Sequence, residues 1–294
     1  MATLRELKGR IGSVASSEKI TGAMKMISSA KMHKAEQSLR KLGPFRQQIE
    51  SIIGNLLSAD AEFSSPLTES RDIRRLGIVI FGSDDGLCGA YNVNIFKELL
   101  KLITTYRGQF GDNVDIVLYP VGAKIAKAVA KIAGSHISIV ETPGVDSKTT
   151  GDGVKIFMEH LRDSFIKCDI DRIDMLYTGF HSAGRQAIKS EQFLPVVAET
   201  FTTQENAETN RPYLFEPDAP TIFQSVLPMY LLAVAQDIFT ENRASEQAAR
   251  VMAMQSANDN AKKLLEELQL EYNKLRQQGI TTELLDILGG QVRD

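Results

Sequence analysis

Four histidines are the first candidates for acid–base or metal chemistry: His33, His136, His160 and His181. None stands in an HExxH motif or a ligand-pair spacing, so no zinc-type centre is expected. Cys88 and Cys168 form no CxxC pair and read as two reduced, largely buried thiols. The segment Gly82-Ser-Asp-Asp-Gly86-Leu-Cys-Gly89 follows an apolar run, where a phosphate-cradling turn belongs. Its glycines are spaced GxxxGxxG rather than GxGxxG, and no GK[ST] follows. It reads instead as a tight strand-to-helix turn that uses glycine for backbone reasons. Asp84 and Asp85 have the chemistry to hold a cation but read as an exposed acidic turn. Ser28-Ser-Ala-Lys31 matches SxxK without the companion motifs of that enzyme class. The expectation is a chain with no catalytic residues, no cofactor and no metal.

Composition narrows the classes further. The 294 residues suit one large domain or two smaller ones, and the apolar share of 43% is ordinary for a globular protein. Uninterrupted apolar runs are short, such as Tyr230 to Ala235, well under the ~20 residues that span a bilayer. The start, Leu4-Arg5-Glu6-Leu7-Lys8, has no signal-peptide pattern, which predicts use in a cytosol-like compartment. The net charge of −3 is uneven: residues 1–57 carry 10 Lys/Arg against 4 Asp/Glu, and the remainder is acidic. The basic segment lacks the interleaved aromatics of a nucleic-acid surface, so no nucleic-acid partner is expected.

The elements that must position these residues fall into three zones. Residues 1–57 read as one long helix, with a kink or short break expected at Gly43-Pro44. A heptad frame begun at Leu4 passes through Leu7, Ile11, Val14, Glu18, Thr21, Lys25, Ser28, Met32 and Ala35 and continues to Leu56. Eleven of its sixteen positions are apolar, as in a coiled coil. A second frame runs Ala244, Gln247, Val251, Met254, Asn258, Ala261, Leu265, Leu268, Tyr272, Leu275, and Gly289-Gly290 is expected to end it. Between them, apolar runs at 76–81, 114–119, 137–141 and 172–180 alternate with helical patterns at 95–106, 123–132 and 153–166. That alternation predicts crossover units on a largely parallel sheet. Residues 186–197 read as a strand returning from a hairpin, and 202–220 as a loop rich in Asn, Glu, Thr and Pro.

The fold class expected is therefore α/β: a long antiparallel coiled coil of N- and C-terminal helices with an inserted Rossmann-like domain. The divisions are an N-terminal coil at 1–57, the α/β domain at 75–200, a loop and linker at 201–224, and a C-terminal coil at 225–294. At ~1.5 Å per residue, helices of this length outreach a compact body of ~19 Å radius of gyration. A stalk is expected.

Three stretches are more specific. Lys19-Ile-Thr-Gly-Ala-Met-Lys-Met-Ile-Ser-Ser-Ala-Lys31 resembles the KITKAMKMVAAAK signature of F-type ATP synthase gamma subunits of bacterial type, departing at Gly22 and at Ser28-Ser29. Gly82 through Asn92 looks like the family's SDRGLCGAYN turn, with Asp85 where a basic or other residue is usual. Ala244-Ser-Glu-Gln-Ala-Ala-Arg-Val-Met-Ala-Met254 is similar to ASEHAARMxAM, and Leu270 through Asp286 follows the family's terminal helix. The resemblance implies a central-stalk rotor without a catalytic site of its own. It would carry rotation of a membrane c-ring to a catalytic ring of alpha and beta subunits for ATP synthesis. The implied partners are alpha, beta, epsilon and the c-ring. The implied location is peripheral, on the cytoplasmic side of a bacterial inner membrane.

The residues expected to matter follow. The coil core is Leu4, Leu7, Ile11, Val14, Val251, Met254, Leu265, Leu268, Tyr272 and Leu275. By resemblance, Met24, Lys25, Arg276, Gln277 and Thr281 contact beta subunits; a guanidinium fork suits a carboxylate. Where seam positions 18, 21, 25 and 28 turn polar, Ile20, Ala23, Met24 and Ile27 form a second apolar stripe within ~100° of arc. Either the packing seam drifts there, or the helix packs on two sides at once. Gln247 and Asn258 interrupt the second seam and are candidates for fixing register. Two other classes stay open: a nicotinamide-dependent redox enzyme, which requires GxGxxG, and a coiled-coil tether, which requires no motif at 86–92.

Overall fold

The computed structural model describes residues 3–57, 63–142, 144–197, 201 and 215–291, with side chains described as far as residue 285. The chain forms two compact units. One holds the residues up to Ser29 and those from Arg250 onward; the other holds Ala30–Ala249.

The larger unit is built on a five-stranded sheet of order β3-β2-β1-β4-β5. Its strands are β1 (Arg75–Phe81), β2 (Asp115–Val121), β3 (Ile137–Ile139), β4 (Arg172–Ser182) and β5 (Arg185–Leu194). The first four pair in parallel, and β5 returns antiparallel from a tight turn. Residues 76–81 and 116–121 are buried without alternation, as expected of strands covered on both faces. The crossovers are α2 (Tyr91–Phe110), α3 (Ala123–Val129) with a 3₁₀ turn after it, and α4 (Asp152–Ile166). One face of the sheet is closed by Ile95, Leu99, Ile103 and Tyr106 of α2 with Ile125 and Val129 of α3.

The other face carries the larger core. There Phe157, Leu161 and Phe165 of α4 meet the end of the first helix, α1 (Leu4–Leu57), and the start of the last, α5 (Ala219–Gln291). Within this unit the two long helices run antiparallel. Arg46 Nη1 donates to Asp237 Oδ2 at 3.0 Å, and further along, the Phe63 and Phe223 rings are 5.2 Å apart. Ile49, Ile53 and Leu56 are buried on the sheet side, so the second part of α1 belongs to this core.

Several expectations are corrected. The short break is absent, since α1 is one helix through Gly43-Pro44. Both residues lie away from the seam, and the lost hydrogen bond is outweighed by packing on either side. α5 begins at Ala219, because Asp218 caps it: Thr221 N and Oγ1 donate to the Asp218 carboxylate at 2.8 and 2.9 Å. It also continues through Gly289-Gly290 to Gln291. The part of the expected loop at 202–214 lies outside the described residues. Cys88 is buried, but Cys168 is exposed in a left-handed turn of φ 61. Finally, α5 contains an 18-residue window of mean hydropathy 1.4, long and apolar enough to cross a membrane by composition, although no single run suggests it. Half of that window is buried inside the fold. The apolar content is explained by a helix covered on nearly all sides between Tyr230 and Ala248.

Candidate functional site

In the smaller unit, α1 and α5 present heptad seams. Leu7 is fully buried, Met254 is 5% exposed and Leu268 4% exposed. Ile11, Val14, Val251, Leu265, Tyr272 and Leu275 are half-buried, while Leu4 at the helix start is exposed. The seam does not drift where it turns polar. Glu18, Thr21 and Lys25 are half-buried and Ser28 is buried, in phase with the apolar positions before them. Asn258 explains why polar residues are tolerated there. Its Nδ2 donates to the Glu18 carbonyl at 2.7 Å and to Thr21 Oγ1 at 3.3 Å. A β-carbon on Gly22 would lie 3.3 Å from that nitrogen, so the glycine makes room for the amide. Gln247, in the larger unit, is buried beside Glu246, with Nε2 3.4 Å from Oε1.

The second stripe therefore points outward. Ile20 is 59% exposed and Ile27 57%; Ala23 is exposed and Met24 half-buried, and Met26, outside this stripe, is 69% exposed. On α5, Leu270, Ile280, Leu284 and Leu285 are likewise exposed, as are Arg276, Gln277 and Thr281. Thr281 Oγ1 donates back to the Gln277 carbonyl at 2.9 Å, leaving the Gln277 and Arg276 side chains outward. Met26, Leu270, Leu284 and Leu285 were not singled out in the sequence. The signal was present: each is apolar but off the heptad frame. Coil cores need one stripe only, so this off-frame apolar row lies outside the seam on an exposed face.

In the larger unit, the Gly82–Asn92 turn lies at the carboxyl end of β1. With strand order 3-2-1-4-5, the crevice beside β1 and β4 is the switch point where doubly wound sheets take ligands. Here α5 occupies it. Asn242 Nδ2 donates to the Gly82 carbonyl at 3.3 Å, and Tyr91 Oη donates to Asn242 Oδ1 at 2.5 Å. The Phe81 and Phe239 rings meet edge-on at 4.8 Å. Gly82 is required by close approach, since a β-carbon there would come within 2.5 Å of Ile125 Cβ. Gly122 is required by its φ of 116° and by the Ser83 carbonyl.

The polar groups of the turn are used inwardly. Ser83 N donates to Asn92 Oδ1 at 3.0 Å, and Asn92 Nδ2 donates to Ser83 Oγ at 2.7 Å. Asp84 is half-buried and a structural tie rather than part of an exposed acidic turn. It accepts from Ala123 N at 3.0 Å, Ser147 Oγ at 2.8 Å and Ser147 N at 3.1 Å. Asp85 pairs with Lys148 at 3.1 Å, a hydrogen bond that raises the lysine pKa. Arg243 reaches the carbonyls of Thr149 at 2.7 Å and Ser147 at 3.5 Å, and burial lowers its pKa against the pull of Asp146 and Glu246. Elsewhere, His136 and His160 line one cleft of about 490 Å³. His136 pairs with Asp115 at 3.0 Å, and His160 stands edge-on to Tyr119 with centroids 6.4 Å apart. Among the described residues the most deeply buried carboxylate, Asp174, is held by Arg172 and the Tyr106 hydroxyl. Burial outweighs both and raises its pKa.

A family profile described as ATP synthase matches residues 3–292. An ATP synthase gamma chain of Bacteroides fragilis is 40% identical over 300 residues, covering 99% of this chain and 100% of the relative. One from Cupriavidus pinatubonensis is 34% identical, covering 99% of each. Among solved structures, the Euglena gracilis mitochondrial ATP synthase rotor contains a chain superposing at TM-score 0.62 with 17% identity. That match covers 94% of this chain and 98% of the other, and shows a shared fold. Together with the motifs at 19–31, 82–92 and 244–254, these matches show that the chain belongs to the ATP synthase gamma chain family.

Proposed function

We propose that the chain is the central-stalk rotor of a bacterial F-type ATP synthase. It transmits rotation of a membrane c-ring to a catalytic ring of alpha and beta subunits, with an epsilon subunit alongside, and has no catalytic site of its own. One observation carries the reading: the helix that fills the sheet's ligand crevice is the same helix that continues as heptad coil with exposed apolar and polar side chains. A chain built this way gives its cofactor crevice to a shaft and offers the shaft's outer face to a partner. Names borne by similar proteins support it. The 34–40% identical relatives are bacterial ATP synthase gamma chains, and solved neighbours are titled rotor and central stalk/c-ring.

On this reading Met24, Lys25, Arg276, Gln277 and Thr281 face beta subunits, joined by Ile20, Met26 and Ile27. The chain is peripheral to the cytoplasmic face of the inner membrane. The redox alternative requires an open crevice beside β1, and Asn242 and Phe239 stand in it. The test is co-expression with alpha, beta and epsilon subunits. A stable complex containing one copy of this chain, with rotation-coupled ATPase activity, is expected, while the isolated chain neither binds nor hydrolyses ATP. Saturable ATP binding by the pure chain, or a catalytic ring that assembles and turns over identically without it, overturns the proposal.

A further inference from the structure

Four neighbouring side chains fasten α5 where it crosses the sheet of the larger unit, each to a different element. Asp237 takes Arg46 of α1 at 3.0 Å. Glu241 takes Lys189 of β5 at 3.4 Å. Asn242 bonds the Gly82 carbonyl at the end of β1 and the Tyr91 hydroxyl of α2. Arg243 takes the carbonyls of Ser147 and Thr149 in the loop before α4. At ~100° per residue, these four leave the helix at roughly 0°, 40°, 140° and 240° around its circumference.

That spread has a mechanical consequence. Bonds on one side of a helix let it roll away from them. Bonds distributed around it oppose rotation in either sense, because any roll stretches some of them. The partners are themselves held. Arg46 also bridges Glu50 at 2.8 Å, and Ser147 is pinned by Asp84, which in turn accepts from Ala123 N. Asn242 and Tyr91 are buried, so water does not readily replace their bonds. The apolar contacts of α5 here, such as Phe81 on Phe239, resist withdrawal of the helix, and the four polar side chains add bonds of fixed direction about its axis.

We propose that residues 237–243 form a torque collar. Asp237, Glu241, Asn242 and Arg243 lock α5 against rolling within the α/β body, so that a twist applied to the body passes into the helix instead of being lost as rotation in its socket. They act as positioning residues. The inference rests on the rotor reading above and assigns the coupling within it to particular side chains.

The experiment uses the complete complex in inverted membrane vesicles. It carries the wild-type chain, Arg243→Ala, the double variant Asn242→Ala/Arg243→Ala, or Leu227→Val as a control. Leu227 is a fully buried apolar residue of α5 outside the collar. ATP hydrolysis, proton uptake and subunit stoichiometry are measured on the same vesicles. The double variant is expected to keep hydrolysis while losing proton uptake per ATP. Arg243→Ala should lose part of it, Arg243→Lys should recover some of that loss, and Leu227→Val should keep the wild-type ratio. If the double variant does not assemble, the single Arg243 variants decide. A proton-to-ATP ratio equal to wild type in the Arg243 variants, or a loss shared by Leu227→Val, overturns the collar and leaves the rotor reading standing. Wild-type vesicles that hydrolyse ATP without pumping overturn both.

Discussion

Replacing Asn258 tests whether one polar contact sets the pairing register of the coil. The residue is 7% exposed, and its amide donates to the Glu18 carbonyl at 2.7 Å. That carbonyl also accepts from Thr21 Oγ1 at 3.0 Å, so removing the amide orphans no acceptor. The loss is then the net value of a neutral hydrogen bond, ~0.5–1.5 kcal/mol. Better helix propensity in alanine returns up to ~0.7 kcal/mol. Asn258→Ala should therefore destabilise by no more than about 1.5 kcal/mol. Asn258→Leu should match or exceed wild-type stability, because a buried leucine contributes ~1.5–3 kcal/mol relative to an exposed one. It should also loosen register, since an apolar knob fits a hole one heptad away as well as its own. Spin labels at the exposed Met26 and Met252, with Cys168→Ser removing the exposed native thiol, report the spacing of the two helices. Wild type should give one narrow distance, and Asn258→Leu a broadened or second one at an equal or higher melting temperature. One unchanged distance with a lowered melting temperature would refute the register argument.

Burial ranks the seam leucines: Leu268→Ala should cost ~2–5 kcal/mol, and Leu265→Ala and Leu275→Ala clearly less, in thermal unfolding. Equal costs for all three would show that the seam is misplaced. Arg276→Ala, on an exposed face, should change stability by ~0.5 kcal/mol or less. It should weaken coupling in the assembled complex by ~1.5–3 kcal/mol, and unchanged coupled hydrolysis counts against the contact. Arg5, Lys8, Lys19 and Lys34 are all exposed and share an arc of ~80° on an ideal helix. Lys19→Glu/Lys34→Glu should slow assembly with the ring at low salt and matter less at high salt, as screening beyond ~8 Å requires; equal rates at low salt mark a merely wet face. Because burial raises the Asp174 pKa above its ordinary 3.8, its contribution to stability is full below that value and is lost as pH rises through the folded pKa. Denaturation of wild type and Asp174→Asn at stepped pH should show wild type losing ground over that window, and the opposite slope would refute the assignment.

The heptad frame was legible because its period is set by the backbone: every frame position from Leu7 to Leu56 is buried or half-buried, polar ones included. The strand–helix alternation was legible for the same reason. What failed was punctuation. Pro44 and Gly289-Gly290 are local breakers overridden by the helices around them. Asp218 was hidden in a polar stretch, although Asp followed by Ala-Pro-Thr is a start signal for a helix. Gly22 could not be explained from its own sequence neighbourhood. Its partner, Asn258, lies more than two hundred residues along the chain, and the pairing becomes visible only when the two seams meet. The exposed stripe was legible as a pattern, but its direction was not: drift of the seam and a second apolar face give the same letters at positions 18 to 28.

The Gly82–Asn92 turn shows how a ligand-binding topology can be redirected. Strand order, a glycine-bearing turn at the end of β1 and a helix starting at Tyr91 are all present. In a dinucleotide-binding sheet the turn's backbone donors face outward to phosphate. Here Ser83 N is taken by Asn92, and the Gly82 carbonyl by Asn242. The crevice then needs an occupant that is apolar on most of its surface and polar at a few fixed points. Residues 230–248 of α5 meet that description: Phe239 faces Phe81, Asn242 faces the turn, and Arg243 faces the loop carbonyls. A bound cofactor dissociates; a helix of the same chain does not. Filling the crevice from within turns a site for exchange into a permanent joint, and a joint is what a part that carries load between two bodies requires.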